Sequence, residues 1–238
     1  MAADAQAILS QLTIVRSERE ARTADGALGE TVRALKAYQQ QRFSRTYADL
    51  LASSRYAAAS RFFLDELYGP QDFSDRDAQF ARVVPALVRL FPQELVETVA
   101  VLARLHALSE SLDSTMGRHL LGRLIDRSTY IEAWQLTGRA EAREEQIRLT
   151  LAVGRDLDSL TRKPLLRTTL HLMRGPARAA GLPALQQFLE TGFDTFKAMG
   201  GAEEFLAIVG TRERALAAAL FERRTECTPE AAALGQLP

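Results

Sequence analysis

Apolar side chains recur every third or fourth residue along nearly the whole of this 238-residue chain, and strand-like alternation is almost absent. That period places one stripe of each segment on one side of an α-helix. Gly and Pro then cut the pattern into pieces, at Asp25-Gly26, Gly69-Pro70, Gly138, Gly175-Pro176, Gly181-Leu182-Pro183 and Gly200-Gly201. About nine or ten helices with short connections follow, which predicts an all-α fold: a single compact multi-helix array over residues 1–225. No repeat of fixed period argues for a solenoid. The first helix, within 1–28, carries Ile8, Leu12 and Val15 on one face and reads as peripheral. Residues 226–238 read as a flexible C-terminal tail.

Finer boundaries follow the same signals. Pro85 falls inside a helix over 75–91, where it removes one backbone bond. Pro92 suits the first turn of the next helix, which reaches about Leu112. Asp113 or Ser114 then caps a further helix to Thr137, with Met116, Leu120, Leu124, Ile131 and Trp134 along one side. Residues 139–162 form a charged helix in which Glu144 and Arg148 are spaced to pair.

Composition narrows the function. Hydrophobic residues make up 47%, charged residues 25%, and acids and bases balance to zero formal charge, so no global field steers the chain toward nucleic acid or an anionic membrane. Among 30 basic residues only Lys36, Lys163 and Lys197 are lysine, a bias that suggests a high-GC bacterial genome. Cys227 is the only cysteine, which removes an internal disulfide and a cysteine zinc site. The first residues lack the basic and apolar regions of a signal peptide, and no stretch suits a membrane span. A cytoplasmic location without membrane contact is the expectation.

The most individual segment runs from Phe62 to Asp77. Tyr68-Gly69-Pro70 stops a helix, and Ser74 with Asp77 three residues on reads as a capping box that starts the next. Arg76 and Asp72 could pair across the corner. Asp72, Asp75 and Asp77 lack the ligand number and spacing of a calcium loop, so no metal site is assigned. Phe62, Phe63, Tyr68, Gly69, Pro70, Asp72, Phe73, Arg76 and Asp77 together form the candidate structural motif and interface.

Two other groups carry candidate chemistry. His106 continues the stripe Leu95, Val99, Leu102 and so points inward, where an imidazole could ligate or act as a base. His119, on the following helix, could approach it if the two helices pack antiparallel, giving a candidate ligand pocket at His106 and His119. Lys163, Arg167, His171 and Arg174 recur at spacings of four, four and three, a basic face that could hold phosphate groups. It lacks interleaved aromatics, which makes nucleic acid an unfavoured partner; a solvated face paired with acids such as Asp156 and Asp158 is the simpler account. Acid pairs such as Asp65-Glu66 and Glu203-Glu204 diverge by about 100° on a helix, and there is no nucleophile elbow, phosphate loop or dinucleotide motif. No catalytic residue is assigned.

The segment Phe62-Phe63-Leu64, Leu67-Tyr68-Gly69-Pro70, Asp72-Phe73 and Arg76-Asp77 resembles the signature of a bacterial family of uncharacterised all-helical proteins. Gly192-Phe193-Asp194, Met199-Gly200-Gly201 and Glu204-Phe205-Leu206 are similar to that family's C-terminal end, over about residues 30–225 in all. This resemblance implies one domain and no activity. Separately, Ala103-Arg104-Leu105-His106 and Gly117-Arg118-His119-Leu120-Leu121 resemble the proximal and following helices of bacterial haem globins, which implies His106 as an iron ligand. Three expectations result: a non-enzymatic helical protein without cofactor, acting through a protein partner or self-association; a haem or small-molecule sensor using His106; and an anion or nucleic-acid binder using the basic face.

Overall fold

A single helix of 28 residues, α6 (Gln93–Leu120), forms the axis around which the other elements assemble. The computed structural model describes residues 4–67, 73–222 and 234–238. Among them regular structure is wholly helical, with twelve α-helices and one π-helical turn. In chain order these are α1 (Ala5–Ala24), α2 (Gly26–Thr46), α3 (Ala48–Ala52), α4 (Ala57–Phe62), the π-turn Phe63–Leu67, α5 (Ser74–Leu90) and α6. They continue as α7 (Arg127–Thr137), α8 (Ala140–Thr161), α9 (Pro164–Leu172), α10 (Arg174–Ala179), α11 (Pro183–Met199) and α12 (Glu203–Glu222). No described helix is long and apolar enough to cross a membrane.

Helices α1, α2, α7 and α8 pack on α6, while α12 closes against α8 and α7. Helix α11 joins α4, α5, α8 and α9. Three apolar clusters result. Phe43, Tyr47, Phe63, Phe196 and Phe205 anchor one between α2, α4, α11 and α12. Leu35, Tyr38, Met116, Tyr130 and Leu216 anchor a second between α2, α6, α7 and α12. Ile8, Leu12, Val84 and Val96 anchor a third between α1, α5 and α6.

The helical pattern of the sequence holds, and four local expectations change. First, α6 runs without interruption past Asp113 and Ser114 because both are buried and bonded to neighbouring helices rather than turned back onto a helix end. The cap that starts α7 is Asp126, whose carboxylate accepts the Thr129 amide at 2.9 Å while its own amide donates to Thr129 Oγ1 at 3.0 Å. Leu124 therefore lies between helices and is 80% exposed.

Second, α1 is not peripheral: Ile8 and Val15 are buried against α6 and α5, after a start fixed by Asp4, whose carboxylate accepts the Ala7 amide at 2.7 Å. Third, α5 begins at Ser74 with Phe73 as its cap residue, and the Asp77 carboxylate turns inward instead of closing a capping box. Fourth, the last five residues dock in the second cluster. Leu234 and Leu237 are buried there, and Arg45 donates to the Leu237 carbonyl at 2.8 Å. Cys227 lies outside the described residues.

Candidate functional site

The stripe Ile8, Leu12, Val15 continues in the same register as Arg19 and Arg22, so α1 delivers two guanidinium groups where apolar side chains would stand. Helix α6 does the reverse with carboxylates. His106, Glu110 and Asp113 lie on one face at spacings of four and three, opposite Lys36 and Gln39 of α2. Glu110, only 2% exposed, is the hub. It accepts from Arg22, from Lys36 at 2.8 Å and from Arg19 at 3.4 Å. Arg22 also donates to Ser114 at 3.0 Å. Asp77 brings in α5, with Arg19 Nη1 and His106 Nε2 each 2.8 Å from its Oδ2.

Electrostatics follow from that wiring. Burial alone would push the Glu110 carboxyl up, but Lys36 and Arg22 outweigh it and hold the group far below the usual carboxylate range. Burial also opposes the Asp77 charge, and His106, Arg19 and Arg76 together bring that carboxyl below its ordinary value. Asp113 goes the other way: burial raises it, against a pull from Lys36.

A second polar group lies nearer the α7–α12 side. Arg42 Nη1 donates to Glu213 at 2.5 Å, and Tyr47 donates to the same carboxylate oxygen at 2.6 Å. The Arg143 guanidinium lies 3.9 Å from the centre of the Trp134 ring and donates to Gln146 at 3.1 Å. Gln146 in turn donates to Ser109 at 2.8 Å.

Between these groups, where the three apolar clusters meet, lies a cavity of about 210 Å³. Leu12 and Ala103 reach it from the third cluster, Phe43 and Leu151 from the first, Tyr130 and Leu216 from the second. Lys36, Asp77, His106, Glu110 and Asp113 are among its lining residues, as are Arg42, Trp134 and Glu213. Arg42 Nε and Trp134 Nε1 are both buried and without a hydrogen-bond partner. Nearly all buried polar groups in folded proteins are partnered, so each is an uncommon feature among the residues that line the cavity.

The model of a domain of unknown function, DUF8198, matches residues 18–227, which is most of the chain. The chain belongs to that family. Comparison with curated proteins and with solved structures returns no match. The DUF8198 span takes in both polar groups whole, from Arg19 to Glu213.

Within this DUF8198 chain the anticipated residues have separate fates. His106 and His119 lie on the same continuous helix, thirteen positions or roughly 20 Å apart, so the pair cannot share one ligand. His106 does line the cavity. Its Nε2 faces Asp77 and Arg19, and a haem iron there would have to displace both, so the arrangement does not suit proximal ligation.

Phe62 and Phe63 are buried against Phe188, Phe196 and Phe205, as is Tyr56 against Phe205, which removes them from any interface. Phe73 is half-buried beneath the Arg76 guanidinium, which is 4.0 Å from its ring centre and 4.4 Å from that of Phe188. Tyr68, Gly69, Pro70 and Asp72 lie outside the described residues.

The basic face is neutralised by acids other than Asp156 and Asp158. Lys163 pairs with Glu94, Arg167 donates to Asp194 at 2.8 Å, and Arg174 donates to Glu190 at 2.7 Å, with His171 on the same face. The Arg174 bond brings the Glu190 carboxyl down to about 2. Among the described residues no cluster of three His, Cys, Asp or Glu side chains is placed to hold a metal ion.

Sequence reasoning passed over Arg19, Arg22, Arg42, Glu110, Asp113 and Arg143. The signal was present for α1 and α6, as charges standing in an otherwise apolar register.

Proposed function

We propose that the chain is a small-molecule receptor, a binding protein rather than an enzyme, whose ligand occupies the cavity between α2, α6, α7, α8 and α12. The observation that carries this reading is the cavity itself, walled by aromatic and aliphatic side chains with charged groups among them. A hole of this size costs packing energy in proportion to its volume, and a bound molecule restores those contacts. The surrounding acids and bases are engaged with one another, which suits a rigid frame better than a reaction centre. A lone cysteine and the arginine bias fit a reducing, bacterial cytoplasm.

The test is a titration of the full chain with 4-fluorotoluene followed by fluorine NMR. Saturable binding is expected, with loss of binding in a folded Ala217→Phe variant that fills the cavity from α12. No saturable shift, or one the filled variant keeps, would remove the reading.

A second reading, association with another copy of the chain, draws on α9, where Leu165 and Leu172 are 75% and 73% exposed. A mass by light scattering that is the same for the wild type and a Leu165→Glu, Leu172→Glu variant would dispose of it.

A further inference from the structure

Given the receptor reading, on which all of this rests, a ligand needs a path to the interior. Phe43, Leu151 and Leu216 are buried, so their part of the cavity is reached only by passing between helices. Leu189 of α11 lines the same cavity and is 41% exposed, with its half-buried neighbour Phe188 also in the lining. On α6, Leu102, Leu105 and His106 are half-buried lining residues too. The first half of α5 bridges these two helices. Its Asp77 Oδ2 is 2.8 Å from His106 Nε2 on α6, and its Arg76 guanidinium is 4.4 Å from the Phe188 ring centre on α11. Phe73, Arg76, Asp77 and Phe80 all line the cavity. Helix α5 therefore crosses from α6 to α11 where the cavity approaches the surface.

What holds this stretch down is largely polar. None of residues 74–83 is fully buried; Phe80 and Ala81 pack partly buried on the third cluster, and Val84, at 0% exposure, is the first firm anchor. Arg19 reaches Asp77 at 2.8 Å and Ser74 at 3.4 Å. Gln79 Oε1 accepts the Leu185 amide at 3.2 Å, and Arg82 donates to the Gly181 carbonyl at 3.1 Å. Among the described residues no side chain caps the first turn of α5. Pro85 comes directly after the anchor and has no N–H for the Ala81 carbonyl, so the helix lacks a bond where its two halves join. Segments with few buried apolar contacts open locally well before the whole molecule unfolds.

We infer that residues 74–83 are a strap over the mouth of the cavity, which bends at the turn from Ala81 to Pro85 to admit and release the ligand. Opening parts Asp77 from His106 and Arg76 from Phe188. It leaves a mouth walled by Leu102, Leu105, Phe188 and Leu189, which suits the passage of an apolar molecule. The same fastenings close over an empty and a filled cavity, so they set the rates of entry and exit and leave the affinity alone.

The full chain is titrated with 4-fluorotoluene, and fluorine line shapes and relaxation dispersion give both rates with the affinity. Gln79 and Arg82 fasten the strap from outside the cavity lining. In a Gln79→Ala, Arg82→Ala variant the on and off rates are expected to rise together by about fivefold, the scale of one net hydrogen bond, with the affinity within about twofold of wild type. Pro85→Ala restores the bond to Ala81 and stiffens the hinge, so both rates should fall at constant affinity. Gly117→Ala, which disturbs the packing of α2 on α6 instead, should keep wild-type rates. Rates unmoved in both α5 variants, or moved as far in Gly117→Ala, would overturn the strap while saturable binding keeps the receptor reading. No saturable binding of the probe would end both.

Discussion

Glu110 shows what a single residue does in this interior. Three cations converge on one carboxylate at 2% exposure, and each would be left in a low-dielectric setting if it were lost. Glu110→Gln is expected to destabilise the chain by about 3–5 kcal/mol, the range for breaking a buried pair by removing one partner, measured by urea unfolding. An equal midpoint in variant and wild type would contradict the hub role. Acid should act on the same group. Glu110 and Asp77 both lie below their unfolded-state values of about 4.3 and 3.9, so their stabilisation is complete above those values and is lost as pH falls through the folded-state ones.

Asp113 has the opposite sign. Its raised carboxyl holds a proton to higher pH in the folded chain, so its contribution becomes less favourable as pH rises through that window. The net expectation is a urea midpoint that drops steeply below about pH 4, with a shallower drop in Glu110→Gln. His106 was legible as an inward residue because it interrupts an apolar stripe. Arg19 and Arg22 interrupt the Ile8, Leu12, Val15 stripe in the same way, and read by that rule they too would have been placed inside. Trp134 and Arg42 carried no such mark, since aromatic and amphipathic side chains suit a core wall with or without a cavity beside it.

At the level of helices, periodicity gave existence and type well, and Gly or Pro marked the boundaries that held, as at Gly138, Pro183 and Gly200. Asp4 and Asp25, which had not been singled out as caps, start α1 and α2 by accepting the Ala7 and Leu28 amides. Asp113 and Ser114 looked equally suited to capping and instead bridge helices, because a side chain's choice between its own backbone and a neighbour depends on what packs opposite it. The Glu144 and Arg148 pair failed for a related reason: Arg148 takes Glu145 at 2.6 Å, and Glu144 receives Arg214 of α12 at 3.0 Å.

Close packing of α2 on α6 depends on Gly117, where a Cβ would stand 2.5 Å from Val32 Cγ2. A valine cannot swing aside cheaply. Gly117→Ala is expected to lower stability by about 1–3 kcal/mol through overpacking, whereas Gly26→Ala, which meets nothing within 4 Å, should leave the thermal midpoint nearly unchanged. Equal effects at the two positions would show that the helices are not held at this separation. The basic face on α9 and α10 also belongs to this scale. Its arginines are exposed and already bonded to α11, so Arg167→Ala should alter neither polyanion binding nor its salt dependence.

For the molecule as a whole, the three apolar clusters stop short of merging, and charged side chains are among those that line the space they leave. Of its lining, His106 was anticipated as a pocket residue, while the cavity itself is a property of how stripes from five or more helices meet. The C-terminal segment closes the second cluster from outside. Leu237 is fully buried there, so Leu237→Ala should cost about 2–5 kcal/mol, read as a lowered urea midpoint; a change near zero would mean the segment contributes nothing to the core. The most direct measurement of the central claim is a crystal structure of the full chain under xenon pressure. Xenon, or a copurified molecule in its place, is expected between Phe43, Leu151 and Leu216; side chains packed solidly through that space would contradict it.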